Sequence, residues 1–118
     1  MPADADPRPV LLAERQAAVA RLAALQREFA DIVAATAAAN TDDEHDPEGA
    51  TIAFERQHVA ALLSQAREHL SHIESALRRV DEGSYGVCER CGRPIPAERL
   101  TARPSAATCV RCAARGAH

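Results

Sequence analysis

The chain has 118 residues, 26% of them charged, and a formal net charge of −3, so it is sized for one domain and is not a general polyanion binder. All 14 basic residues are Arg, and the aromatics are only Phe29, Phe54 and Tyr85, too few for a base-stacking platform. No run of about 18 apolar residues occurs, and no basic start precedes an apolar stretch, so neither a signal peptide nor a membrane span is expected.

Residues 1–9 hold Pro2, Pro7 and Pro9 among small polar residues and read as a disordered leader. From Val10 to about Ala39 there is neither Gly nor Pro, and Ala, Leu, Gln, Glu and Arg favour helix. Leu11, Ala18, Leu22, Leu25, Phe29, Ile32 and Thr36 recur on steps of 4 and 3, with Arg15 in the remaining slot. That is a heptad seam.

Residues 40–50 interrupt the seam, and five acids fall there without a base: Asp42, Asp43, Glu44, Asp46 and Glu48. Asp46-Pro47-Glu48 announces a second helix, with Asp as N-cap and Pro at the first helical position. This helix should end near Glu82, with Gly83 as its stop. Its seam is Ile52, Val59, Leu63, Ala66, Leu70, Ile73, Leu77 and Val80.

Two such helices bury their seams by folding back on one another. Phe29 then faces Val59, Leu25 faces Leu63, Leu22 faces Ala66, Ala18 faces Leu70 and Leu11 faces Leu77. The weak layers are Ile32 with Arg56 and Arg15 with Ile73, where Arg lays its stem over the seam and keeps its head in water. At 1.5 Å per residue the rod would be roughly 45 Å long. A parallel dimer of separate coiled coils competes with this hairpin, but the short loop and matched register favour a monomer. A bland reading of residues 40–50 is a solvated loop; the sharper one is an acidic probe at the end of a stiff rod.

Residues 84–118 change character. Gly86, Gly92, Pro94, Pro96 and Pro104 break any long helix, and all four cysteines form Cys88-x2-Cys91-x17-Cys109-x2-Cys112. Paired CxxC motifs at this spacing match a tetrahedral zinc site, since each tight turn supplies two thiolates. Gly92 follows the first pair, where the turn needs positive φ. A redox dithiol or two disulfides is the competing assignment. A short helix is expected over Val110–Arg115. Six arginines (Arg90, Arg93, Arg99, Arg103, Arg111 and Arg115) against Glu89 and Glu98 make this head basic. The expected fold is mostly α: a long antiparallel two-helix coiled coil over 10–83, its acidic tip at 40–50, with a small four-cysteine zinc finger at 84–118.

Tyr85-Gly86-Val87-Cys88-Glu89-Arg90-Cys91-Gly92, Ile95, Arg99-Leu100, Ala102-Arg103-Pro104 and Cys109-Val110-x-Cys112 resemble the zinc-finger signature of the DksA/TraR family. The resemblance covers residues 46–112 and, for the first helix, architecture only. It implies a cytoplasmic bacterial regulator that binds RNA polymerase rather than DNA, inserts its coiled-coil tip into the secondary channel and takes part in the stringent response with ppGpp. It also implies one structural Zn²⁺ on the four cysteines and no enzymatic activity. The tip residues would be Asp42, Asp43, Asp46, Glu48 and Ala50. Gapless counting from the zinc site sets His45, Glu48 and Ala50 on the family's Asp-x-x-Asp-x-Ala positions, whereas Asp43 and Asp46 keep the acid spacing without the Ala. Arg103 would be a polymerase or ppGpp contact. Gln65, Glu68, His69 and His72 stand where alarmone-responsive relatives carry basic residues, which predicts weak ppGpp synergy. The alternatives are a zinc-ribbon DNA-binding module and a thiol-redox or zinc-responsive regulator.

Overall fold

The structure is a computed structural model that describes residues 6–39 and 47–116. Four helices follow in order: α1 (Arg8–Ala39), α2 (Pro47–Glu82), α3 (Ala97–Ala102) and α4 (Val110–Ala114). Among the described residues the only β pairing is an isolated antiparallel bridge between Val87 and Pro94. None of these helices is long and apolar enough to cross a membrane. The chain is therefore mostly α, a two-helix hairpin followed by a small cysteine-rich head.

The chain divides into two compact units: residues 18–69, and residues 1–17 together with 70–118. In the first, Leu25, Val59, Leu63 and Ala66 form one buried cluster, with Leu22, Phe29, Ile32 and Leu62 packed against it. Every one of these except Leu62 is a seam residue, so here the heptad pattern is the core. Arg56 is exposed, in keeping with its weak layer. Thr36 returns its hydroxyl to the Ile32 carbonyl at 2.9 Å, which satisfies a polar group on an otherwise apolar stripe.

In the second unit, Leu11, Ile73 and Ala76 are completely buried. Arg15 is exposed while Ile73 is sealed, so other side chains cover Ile73. The exposed Arg8 guanidinium lies 2.6 Å from the Asp81 carboxylate, so the start of α1 lies beside the end of α2. Helix α1 starts at Arg8, two residues before the expected Val10, so Arg8 and Pro9 belong to the helix and not to a leader. The Arg8 amide donates to Asp6 Oδ1 at 3.0 Å, and the Leu11 amide donates to the Pro7 carbonyl at 3.0 Å. Pro9 is tolerated because a first-turn residue has no intrahelical N–H bond to lose.

Helix α2 begins at Pro47 and ends at Glu82, as its start and stop residues predict. Gly83 has φ +79°, and the Arg79 carbonyl accepts from the amides of both Ser84 (2.9 Å) and Tyr85 (3.1 Å), closing the helix end. Nothing in the sequence announces α3, because six residues are too few to show a period. It follows Pro96, whose carbonyl accepts from the amides of Arg99 and Leu100.

Candidate metal centre and the head around it

The first CxxC is a tight knuckle. The Cys88 amide donates to the Arg93 carbonyl at 2.8 Å and the Gly92 amide donates back to the Cys88 carbonyl at 3.0 Å. Closing that loop needs Gly92 at φ +74°, as its place in the sequence suggests. The second CxxC opens α4: Cys109 caps the helix, its carbonyl accepting from the Ala113 amide at 2.9 Å, and Cys112 lies one turn on. Loop and helix thus present two thiols each to one point.

All four Sγ atoms lie within 4.8 Å of one another, and Cys91 Sγ is 3.8 Å from Cys109 Sγ. Zinc–sulfur bonds of about 2.3 Å in a tetrahedron set the sulfurs about 3.8 Å apart, so the residues fit the ion. Cys88 and Cys112 are buried, Cys109 is half-buried and Cys91 is exposed. Ile95 joins Cys88 and Cys112 in a small core, with Leu100 against it.

Backbone amides prepare the thiols. The N–H groups of Cys91, then Cys109 and Arg90, aim at Cys88 and hold its thiol down to about 6. The Cys112 amide lowers Cys109 in the same way. Cys112 is pushed up to about 12, first by its side-chain hydrogen bond with Cys109 and then by burial. A cluster that holds one thiolate readily and resists the last ionisation is completed by a dication, which drives off the remaining protons. The four cysteines carry one Zn²⁺, and a closed four-thiolate shell supplies a structural cross-link with no open position for water.

Arg79 has no signal in the sequence, because it lies off the α2 seam beside Arg78. Its side chain is buried between the helix and the head. Nη1 donates to Ser75 Oγ at 3.0 Å and lies 3.5 Å from Glu89 Oε1, while Nη2 approaches the carbonyls of Ala106 (3.4 Å) and Ser105 (3.5 Å). Tyr85 adds a second tie, its hydroxyl donating to the Pro104 carbonyl at 2.7 Å; burial pushes its pKa up and keeps it a donor. Arg99 Nε donates to the Thr108 carbonyl at 2.7 Å, and Arg90 Nη1 donates to the Gly116 carbonyl at 2.8 Å just beyond α4. Three of the chain's arginines therefore organise the head.

Arg103 is exposed and shares a groove of about 490 Å³ with His72, Ser75, Arg79, Glu89 and Arg99. Gln65 and His69 instead border a 180 Å³ hollow beside Arg21 and Ala66, and Glu68 is exposed. Asp42, Asp43, His45 and Asp46 lie outside the described residues, as does the side chain of Glu48; Ala50 is exposed on α2.

A two-helix hairpin joined to a four-cysteine zinc knuckle is the class of protein that fold and site define. The prokaryotic dksA/traR C4-type zinc finger matches residues 83–115. The transcription factor DksA2 of Pseudomonas aeruginosa has a similar structure, with a TM-score of 0.73 and 30% identity over 92% of this chain and 78% of that one. The RNA polymerase-binding transcription factor DksA of Caulobacter vibrioides is 51% identical over 49 residues, 42% of this chain and 34% of that protein. YteA of Bacillus subtilis is 46% identical over 66 residues, 56% of this chain and 28% of its own length. The chain belongs to the DksA/TraR family. Its matches span about a third or less of the length of these curated relatives.

Proposed function

We propose that this chain is a bacterial transcription regulator that binds RNA polymerase in the cytoplasm as a monomer, inserting its acidic hairpin tip into the secondary channel. The observation that carries this reading is the 51% identity, over 49 residues, to a factor whose name states polymerase binding, joined to the likeness of the fold to DksA2. The division of labour follows from the chemistry. Zinc and the Arg79 clamp hold the head on the end of α2, while α1 and α2 carry the acidic segment between them.

The working groups are then the carboxylates of Asp42, Asp43, Asp46 and Glu48, with Ala50 beside them. Placed near an active-site Mg²⁺, they act by Coulombic repulsion of the substrate phosphates or by competing for the ion. The groove holding Arg103 is the place for a phosphate ligand such as ppGpp. The same groove is lined by Glu89, whose carboxylate opposes an anionic ligand, so synergy with ppGpp is weak.

Purified RNA polymerase should retain the zinc-loaded chain in a pull-down, and the chain should change transcription from a stable-RNA promoter. No retention at any salt concentration would overturn the reading.

A further inference from the structure

Apart from Arg103, which lines the His72 groove, the arginines of the head and of the adjoining end of α2 fall into two sets. Arg79, Arg90 and Arg99 commit donors to the head's own carbonyls. Arg93, Arg111 and Arg115 are exposed and have no ion-pair or hydrogen-bond partner for their side chains among the described residues. These three border one groove of about 500 Å³, whose remaining wall includes Pro94, Pro96 and Val110. Among the described residues no carboxylate lines it. Val110 stands 59% exposed at the first position of α4, an apolar side chain with little packed against it.

We infer that this groove docks an acidic polypeptide segment carrying an apolar side chain among its carboxylates. Guanidinium groups meet carboxylates through two parallel N–H bonds, and Arg is favoured at interface anchors for that reason. The formal charge of the zinc–thiolate cluster is −2, so three guanidinium groups leave the groove positive. The Pro and Val surface of the same groove asks for an apolar partner atom, which a peptide side chain supplies and a bare phosphate does not. It also gives a nucleic-acid base no aromatic face for stacking. An occupant would further cover Cys91, which borders the same groove and is the exposed ligand of the set. Occupancy should therefore slow the loss of zinc. The inference rests on the head alone and stands apart from the polymerase reading.

The test uses the zinc-loaded full chain and a fluorescent peptide of four Glu-Glu-Leu repeats, followed by anisotropy at low salt. A parallel assay measures the rate of zinc transfer to a chromophoric chelator. The peptide should bind saturably and slow zinc transfer. The triple variant R93E/R111E/R115E should bind about tenfold more weakly or worse, with zinc content and helical signal unchanged. Val110→Ser, or Ser in place of each Leu of the peptide, should weaken binding several-fold. Equal binding by the triple variant, or no saturable binding by the native chain, would overturn the inference. So would tighter binding of a short duplex DNA, or self-association of the free chain that the triple variant abolishes. Neither readout involves polymerase, so its failure is distinct from failure of the proposed function.

Discussion

The Arg79 guanidinium lies 3.5 Å from the Ser105 carbonyl oxygen, 26 positions further along the chain, and is buried together with it. It is the side chain that binds the end of α2 to the polypeptide between the two CxxC pairs. Arg79→Ala strands the carbonyls of Ser105 and Ala106 and leaves a hole where a long side chain was packed. Each unsatisfied buried group costs about 1–3 kcal/mol. The melting temperature of the zinc-loaded chain should fall by about 10 °C or more. Arg79→Lys should recover only part of the loss, because an ammonium cannot fork between Ser75 and two carbonyls. A melting curve unchanged in Arg79→Ala would show that Arg79 does not clamp the head.

The hairpin was legible because its core is a stripe. All the seam positions of α1 and α2 named from the sequence are buried or half-buried, with Arg15 the exposed exception, and Arg56 is exposed on α2. The cysteines were legible because spacing alone sets the ligand geometry. Arg79 was not, since its burial comes from residues 105 and 106 returning to the helix, which no local period encodes. Arg90 and Arg99 read as bare charge for the same reason: their acceptors are carbonyls, and carbonyls leave no mark in a sequence.

Removing the metal should unmake the head and spare the stem. Cys88→Ser removes the most buried ligand, so stoichiometric zinc binding should be lost. Amide exchange should then accelerate across residues 84–116, while residues 18–39 and 47–69, which hold the Leu25–Leu63 cluster, stay protected. Uniform loss of protection along the whole chain would show that the two units fold as one.

Acid should release zinc. The Cys88 thiol is lowered to about 6 in the fold, so its ionised form favours the folded head at pH above the usual thiol range. That contribution is lost as pH falls through about 6, and each ligand must shed a proton to bind zinc. Zinc retained per chain, measured after dialysis at a series of pH values, should drop steeply on the acid side of neutrality and stay constant on the alkaline side. A flat profile down to strongly acidic pH would contradict the amide-tuned thiolate.

Leu63 and Arg56 share the heptad seam of α2 with opposite surroundings: Leu63 is 5% exposed, whereas Arg56 lies open to solvent. Leu63→Ala should cost about 2–5 kcal/mol in chemical denaturation. Arg56→Ala should change stability by less than about 0.5 kcal/mol. Similar losses in both would mean that the seam does not carry the stability of the hairpin.

In the proposed division of labour the zinc head positions and the acidic tip acts. Its most direct measurement is transcription by purified RNA polymerase with native chain and with D46A/E48A, alongside the binding affinity of each. The double variant should bind polymerase nearly as well as the native chain and lose the effect on transcription. Full activity in the double variant would contradict it.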